Sequence, residues 1–175
     1  IITPRYKTSR SHTPTPIVRL GENIKVYFIE HSYFSAREGL YGDQGGDYQD
    51  NMERFAFFCH ASLKLLKELH FKPDIVHCHD WHTALLPVLL KTKYQNDPFF
   101  KHTRSVLTIH NLAYQGVFHK SEYNKLGVEG HLFHTQGLEF YDQINILKGG
   151  IIFADAITTV SPQYSKEIQT LQFGC

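Results

Sequence analysis

The sequence predicts an α/β protein, a Rossmann-like parallel sheet with helices on both faces. Short β-branched runs, Asp74–His79 (DIVHCH), Ser105–His110 (SVLTIH) and Asp155–Val160 (DAITTV), alternate with segments of helical periodicity. Successive parallel strands need a crossover that packs back onto the sheet, so this alternation is the signature of right-handed βαβ units. The second observation is size. A chain of 175 residues, 42% hydrophobic and 14% aromatic, can bury one sizeable core, so one domain is expected.

Taken in order, the first twenty residues are rich in Ser, Thr, Pro and Arg and read as a surface loop or strand–loop passage. Ile24, Val26 and Phe28 alternate with polar neighbours, a strand signal. Residues 32–46 read as a loop, with glycines at 39, 42, 45 and 46. Asp50 and Glu53 resemble an acidic capping box. Met52, Phe55, Cys59, Leu63, Leu66 and Leu69 then recur at helical spacing until Pro73. After the strand DIVHCH, a helix is expected over Trp81–Lys93, closed by Asn96-Asp97-Pro98. The strand SVLTIH leads into a long stretch, 111–141, rich in Gly, His and aromatic residues. A helix over about 143–153, the strand DAITTV and a last helix follow. Ser161 is expected to cap that last helix, with Pro162 at its first position.

Charge and cysteines exclude several classes. The formal net charge is +1 and basic residues are scattered, apart from clusters such as Lys64 and Lys67 that suit a solvated helix face, so no nucleic-acid partner is expected. No apolar run approaches the about 20 residues of a membrane helix; Pro87 interrupts the stretch Ala84–Leu90. Cys59, Cys78 and Cys175 form no CxxC pair and suit a reduced compartment better than a disulfide scaffold. The sequence begins at Ile1, without a visible signal peptide, and stops after a helical pattern; it reads as a piece of a longer chain.

In open parallel sheets, ligands bind beyond the carboxyl ends of the strands. The polar residues of this sequence gather there. DIVHCH runs into His79-Asp80-Trp81-His82, SVLTIH into His110-Asn111-Leu112-Ala113-Tyr114-Gln115-Gly116, and DAITTV into Ser161-Pro162. His77, His79 and His82 do not fit the binuclear-hydrolase pattern H-x-H-x-D-H, because Trp81 stands where that pattern has its aspartate. No metal is therefore expected, and His77 reads as a core or hydrogen-bonding residue. Asp80 has two readings, a site carboxylate or a cap for the helix that Trp81 opens. Trp81, the only tryptophan, is either core or a stacking platform for a sugar. His110 and Asn111, followed by Tyr114-Gln115-Gly116, suit recognition of many hydroxyls better than packing. Spacing alone reaches a polar ligand at the strand ends and no further.

The segments DIVHCHDWHTALLPVLLK (74–91), LTIHNLAYQGVF (107–118), GLEFYDQINILKGGIIFADAITTVSPQYSKEI (137–168) and LYGDQGGDYQDNMERFAFF (40–58) resemble those of bacterial glycogen and plant starch synthases, in the same order. The resemblance implies a GT-B architecture of two Rossmann-like domains, of which residues 1–175 would form part of the N-terminal, acceptor-side domain. It implies ADP-glucose or UDP-glucose as donor, the non-reducing end of an α-1,4-glucan as acceptor, retention at the anomeric carbon and no cofactor. The histidine matching His110 would lie beside the donor glucose, and Asp80 would line the active site. Asn111 and Tyr41 would belong to the acceptor cleft, with Tyr114, Gln115, His79 and Trp81 as further substrate-binding candidates.

Three departures accompany the resemblance: a Lys-x-Gly-Gly-Leu motif is absent, the C-terminal nucleotide-binding domain is absent, and 95–104 is longer than in compact bacterial members. The chain alone is therefore expected to be inactive. A bacterial cytoplasm is the expected compartment, or a plastid stroma for a plant or algal source. A glucan-binding module without transferase activity, a metal-dependent hydrolase and a different retaining GT-B enzyme are the alternatives.

Overall fold

The computed structural model describes residues 24–172 and the backbone of Val18–Arg19. The expected N-terminal surface passage and Cys175 otherwise lie outside the described residues. The chain forms two compact units, Ile1–Phe71 and Lys72–Cys175, where the sequence suggested one domain.

In the first unit, β1 (Val18–Arg19) pairs antiparallel with β2 (Lys25–Val26). The expected strand is thus confined to two residues, and Ile24 and Phe28 are exposed. The glycine-rich stretch holds a one-turn helix, α1 (Ser32–Ser35), and a hairpin of β3 (Gly42–Asp43) with β4 (Gly46–Asp47). The long helix α2 (Asn51–Glu68) begins where the sequence indicated, but the Asp50 side chain does not cap it. Arg37 takes that carboxylate in a two-pronged bond of 2.8 and 2.5 Å, while Glu53 accepts from the Tyr33 hydroxyl at 2.8 Å.

Helix α2 stops before Pro73 for a local reason. His70 adopts φ +51, its N–H bonds Lys67 O, and Phe71 N–H bonds Leu66 O. This is a Schellman termination with histidine in the left-handed position that glycine usually fills. Arg54, only 1% exposed, organises the preceding loop by donating to Tyr33 O at 2.9 Å, Leu40 O at 3.0 Å and Asn51 Oδ1 at 2.5 Å. The rings of Phe34, Tyr48 and Phe55 surround its guanidinium.

The second unit is built on a parallel sheet of β5 (Ile75–His79), β6 (Arg104–Ile109) and β10 (Ala156–Thr159), with β6 in the middle. The strands step in one direction across the sheet, and right-handed crossovers then send both connections to one face. Val76, Cys78, Ser105, Leu107 and Ile109 form that face by register; Cys78, Ser105 and Leu107 are fully buried. The opposite face carries His77, His79, Thr108 and Thr158.

The helix expected over 81–93 is two pieces, α3 (Asp80–Thr83) and α4 (Leu85–Lys91), joined at Ala84. Pro87 lacks the N–H that would continue the ladder back to Thr83, which explains the break. Every residue of α4 from Leu85 to Leu90 is buried. The helix α5 (Ile146–Phe153) packs on α3 and α4 through Gly150, where an added Cβ would sit 2.6 Å from Ala84 Cβ. It starts three residues later than the sequence suggested, because Asn145 caps it by accepting from Lys148 N–H at 2.9 Å.

The stretch 111–145 is an annex. Here β7 (Val117–His119), β8 (Glu139–Phe140) and β9 (Gln143–Asn145) form a small antiparallel sheet, with 3-10 turns at Lys120–Leu126 and Gly130–Leu132. After β10, Ser161 caps α6 (Pro162–Glu167) through Tyr164 N–H at 3.1 Å, with Pro162 in the first turn as expected.

At the amino ends of the strands, Asp155 accepts from Lys91 Nζ at 2.5 Å, from Ser105 N–H at 2.8 Å and from Ser105 Oγ at 3.0 Å. Burial pushes its carboxyl up, but the bonds from Lys91 and Ser105 outweigh this and hold it below the ordinary carboxylate value. Cys59 and Cys78 are both buried, and burial pushes the Cys78 thiol up to about 12, where it is inert.

Candidate functional site

Parallel register fixes which polar residues meet. His79 pairs with Thr108, so its side chain projects from the same face as Thr108 and, two residues on, as His110. His79 Nδ1 lies 3.0 Å from His110 Nε2. Behind them, the His77 ring stacks on His79 with centroids 4.3 Å apart. His77 Nε2 meets Thr108 Oγ1 at 2.7 Å, and Thr108 Oγ1 meets Thr158 Oγ1 at 2.7 Å. A row of hydrogen-bonding groups thus crosses all three strands on one face.

Asp80 is not a helix cap. His79 occupies that position, without a capping side-chain bond, and Asp80 is the first residue of α3 at φ +53. Its Oδ1 instead accepts the backbone N–H of His110 at 2.8 Å and of Asn111 at 3.4 Å. A left-handed aspartate is a strained arrangement, held here by tertiary bonds to the next strand end rather than by local ones. Here the backbone turn aims a carboxylate across the strand ends. Thr83 steadies the turn: its Oγ1 accepts from His79 N–H at 2.6 Å and donates to His79 O at 2.9 Å.

The loop after β6 brings further candidates to the same edge. Asn111 is exposed, and its Oδ1 accepts Ala113 N–H at 3.0 Å. Tyr114 is 66% exposed. Gln115 is tied into the scaffold, since Oε1 accepts from Asn145 Nδ2 at 2.6 Å and its carbonyl from Leu147 N–H at 3.0 Å. Trp81 belongs to the core: it is 8% exposed, under Gly116 and near Phe118. Tyr41 lies in the first unit, 44% exposed, with its carbonyl held by Asn51 Nδ2 at 2.7 Å.

Sequence reasoning missed three supporting residues. Tyr164 Oη accepts Leu112 N–H at 2.8 Å, Thr159 Oγ1 donates to Ile109 O at 2.8 Å, and Thr83 holds the His79 turn. The Ser161-Pro162 signal, which puts a helix start at the third strand end, was the available pointer to Tyr164.

Electrostatically, protonation is disfavoured at two of the imidazoles, His79 and His82. His79 is lowered from its ordinary value by burial, then by His77 and His110, with Asp80 opposing. His82 is lowered by burial, again against Asp80. Among the described residues, no group of His, Cys, Asp and Glu is arranged to hold a metal ion. No helix among them is long and apolar enough to cross a membrane.

The fold is that of a Rossmann-like α/β protein, with hydrogen-bonding side chains gathered as a candidate site at the carboxyl ends of its parallel strands. More particularly, the sequence matches the starch synthase catalytic domain family over residues 1–175, and the chain belongs to that family. It is 50% identical over 156 residues to glycogen synthase 2 of Geobacter sulfurreducens, covering 89% of this chain and 32% of that protein. It is 48% identical over 158 residues to the glycogen synthase of Thermodesulfovibrio yellowstonii, covering 90% of this chain and 32% of that protein. Among solved structures, the catalytic domain of starch synthase IV from Arabidopsis thaliana, bound to ADP and acarbose, superposes with a TM-score of 0.67 at 37% identity. That match covers 74% of this chain and 27% of the other. The chain therefore spans about a third of the length of the curated relatives it matches.

Proposed function

We propose that this chain is part of the N-terminal, acceptor-side domain of a retaining glucosyltransferase, which moves glucose from ADP-glucose to the non-reducing end of an α-1,4-glucan. The bond between the glucose anomeric carbon and the nucleotide phosphate oxygen breaks, ADP leaves with the electron pair, and an acceptor hydroxyl oxygen bonds that carbon while its proton passes to the departing phosphate. Charge develops at the anomeric carbon and at the departing phosphate, so fixed dipoles aimed at that region accelerate the step.

The observation that carries the reading is the Asp80–His110 arrangement. A carboxylate holding the backbone N–H groups of His110 and Asn111 fixes the orientation of both residues at the strand ends. A ligand group there meets a preorganised surface. In this reading His110 and Asp80 serve the reacting centre, Asn111, Tyr41, Tyr114, Gln115 and His79 serve substrate binding, and Trp81 supports the Gly116 loop from the core. Donor-nucleotide contacts come from a C-terminal domain of the same polypeptide. The bacterial relatives favour a bacterial cytoplasm, with a plastid stroma the counterpart for a plant or algal source.

Glucose incorporation from ADP-glucose into glycogen tests the reading. The protein of the complete reading frame is expected to incorporate glucose, its His110→Ala form is expected to lose this, and residues 1–175 alone are expected to be inactive. No incorporation by the complete protein from either ADP-glucose or UDP-glucose would overturn it in favour of a glucan-binding module.

A further inference from the structure

We propose that His79 is a positioning residue for His110: the Nδ1 to Nε2 hydrogen bond holds the His110 ring and limits the two imidazoles to a single positive charge while the bond stands. The chemistry follows from the ring atoms. A neutral imidazole offers one N–H and one lone pair, whereas an imidazolium offers two N–H groups and no lone pair. At 3.0 Å, one of the facing nitrogens must donate and the other must accept. Two tautomeric arrangements satisfy the bond, and so does one proton added to the donor ring. A proton on both rings leaves no acceptor, so the bond breaks and two cations face each other.

The surroundings make His79 the fixed member. Its backbone is pinned at both N–H and C=O by Thr83 Oγ1, and its ring is backed by His77, itself tethered to Thr108. His110 is held by its main chain, where Asp80 takes the N–H. The His79 bond adds a second point of attachment, at the ring. One attachment leaves the imidazole free to rotate about its side-chain torsions; two fix it.

The titratable groups acting on His79 beside its His110 partner are His77 from β5 and Asp80 from α3. His77 opposes a proton on His79 and Asp80 favours one, and burial tips the balance toward the neutral ring. The pair is thereby a proton-counting element: a second proton, taken up as pH falls, releases the His110 ring. The consequence for catalysis rests on the glucosyltransferase reading; the pairing itself does not.

Two measurements separate these. In the first, long-range proton–nitrogen NMR spectra of residues 1–175 follow the His79 and His110 rings through a pH titration. A linked response of the two rings is expected, with His79→Phe abolishing the linkage and His79→Gln preserving the His110 tautomer. A His110 spectrum and titration unchanged by His79→Phe would overturn the proposal, and His77→Phe serves as the control for stacking alone. The second uses the complete protein: His79→Phe is expected to lower kcat by about 10- to 100-fold with little change in donor KM, and to move the acid limb of the kcat profile. Partial recovery in His79→Gln is expected. Equal losses in the Phe and Gln forms with an unmoved acid limb would reduce His79 to a packing role. If the complete protein transfers no glucose, the functional reading fails, and the NMR titration still decides the pairing.

Discussion

The Asp80 carboxylate stands 2.8 Å from the backbone nitrogen of His110, joining the end of β5 to the end of β6 through a side chain rather than through the strand ladder. The bond spans 30 residues of sequence, so it fixes tertiary geometry. Asp80→Ala removes the acceptor from two N–H groups and leaves alanine at positive φ, for which a loss of about 2 kcal/mol is expected. Asp80→Asn retains an acceptor and tolerates the left-handed backbone, so it is expected to lose well under half as much. Urea unfolding of the three proteins measures the difference. Equal losses in both variants would show that charge, not hydrogen bonding, holds the junction.

Gly116 sits at φ +62, and a Cβ there would lie 2.5 Å from Trp81 Cε3 and 2.7 Å from Cδ2. Trp81 is buried, so the indole cannot swing clear. Gly116→Ala is expected to cost about 2–3 kcal/mol, combining backbone strain with overpacking. As the only tryptophan, Trp81 reports directly: its fluorescence is expected to shift to the red with an earlier unfolding midpoint.

His70 carries the left-handed termination of α2. His70→Gly relieves a side chain of that conformation, while glycine gives the unfolded chain more freedom, and a net gain of about 0.5–1 kcal/mol is expected. A raised denaturation midpoint in that variant checks it; a lowered one would mean that the imidazole makes contacts outweighing the strain.

The acid response follows from His79 and His82. Both are lowered from the ordinary value of 6.5 in the folded protein. The unfolded chain then binds more protons than the folded one as pH drops below that value, so their contribution is complete above it and lost beneath it. The melting temperature is expected to fall between pH 7.5 and pH 5.5. The His79→Gln, His82→Gln double variant is expected to flatten that fall. A second decline, at pH below the ordinary aspartate value of 3.8, is expected from the lowered Asp155.

The strands β5, β6 and β10 were legible because each is a β-branched run bounded by a helix signal. Ser161 and Pro162 were legible because a cap and a first-turn proline are local chemistry. What escaped the sequence was decided by competition. Asp50 and Asp80 both look like caps, but Arg37 claims the first and the His110 amide the second. Asn145 marks the true start of α5 because the residues before it bond to β7. The annex strands of two or three residues are too short to carry a period. Arg54 reads as a surface charge between hydrophobic positions, yet it is buried because three loop acceptors and three rings converge on it. At the site, residue types were readable at the strand ends, but which ring meets which depended on the parallel register.

The Asp155 clasp binds Lys91 and Ser105 at the amino ends of the strands, whereas His79, Asp80 and His110 occupy the carboxyl ends. The clasp and the candidate site thus occupy opposite poles of one sheet. A protein organised this way can diversify the site's pole without loosening the clasp. Under the proposed function, randomising the exposed positions Ala113 and Tyr114, with Asn111 kept for its bond to Ala113 N–H, would give a library whose members differ in ligand preference with little change in thermal stability.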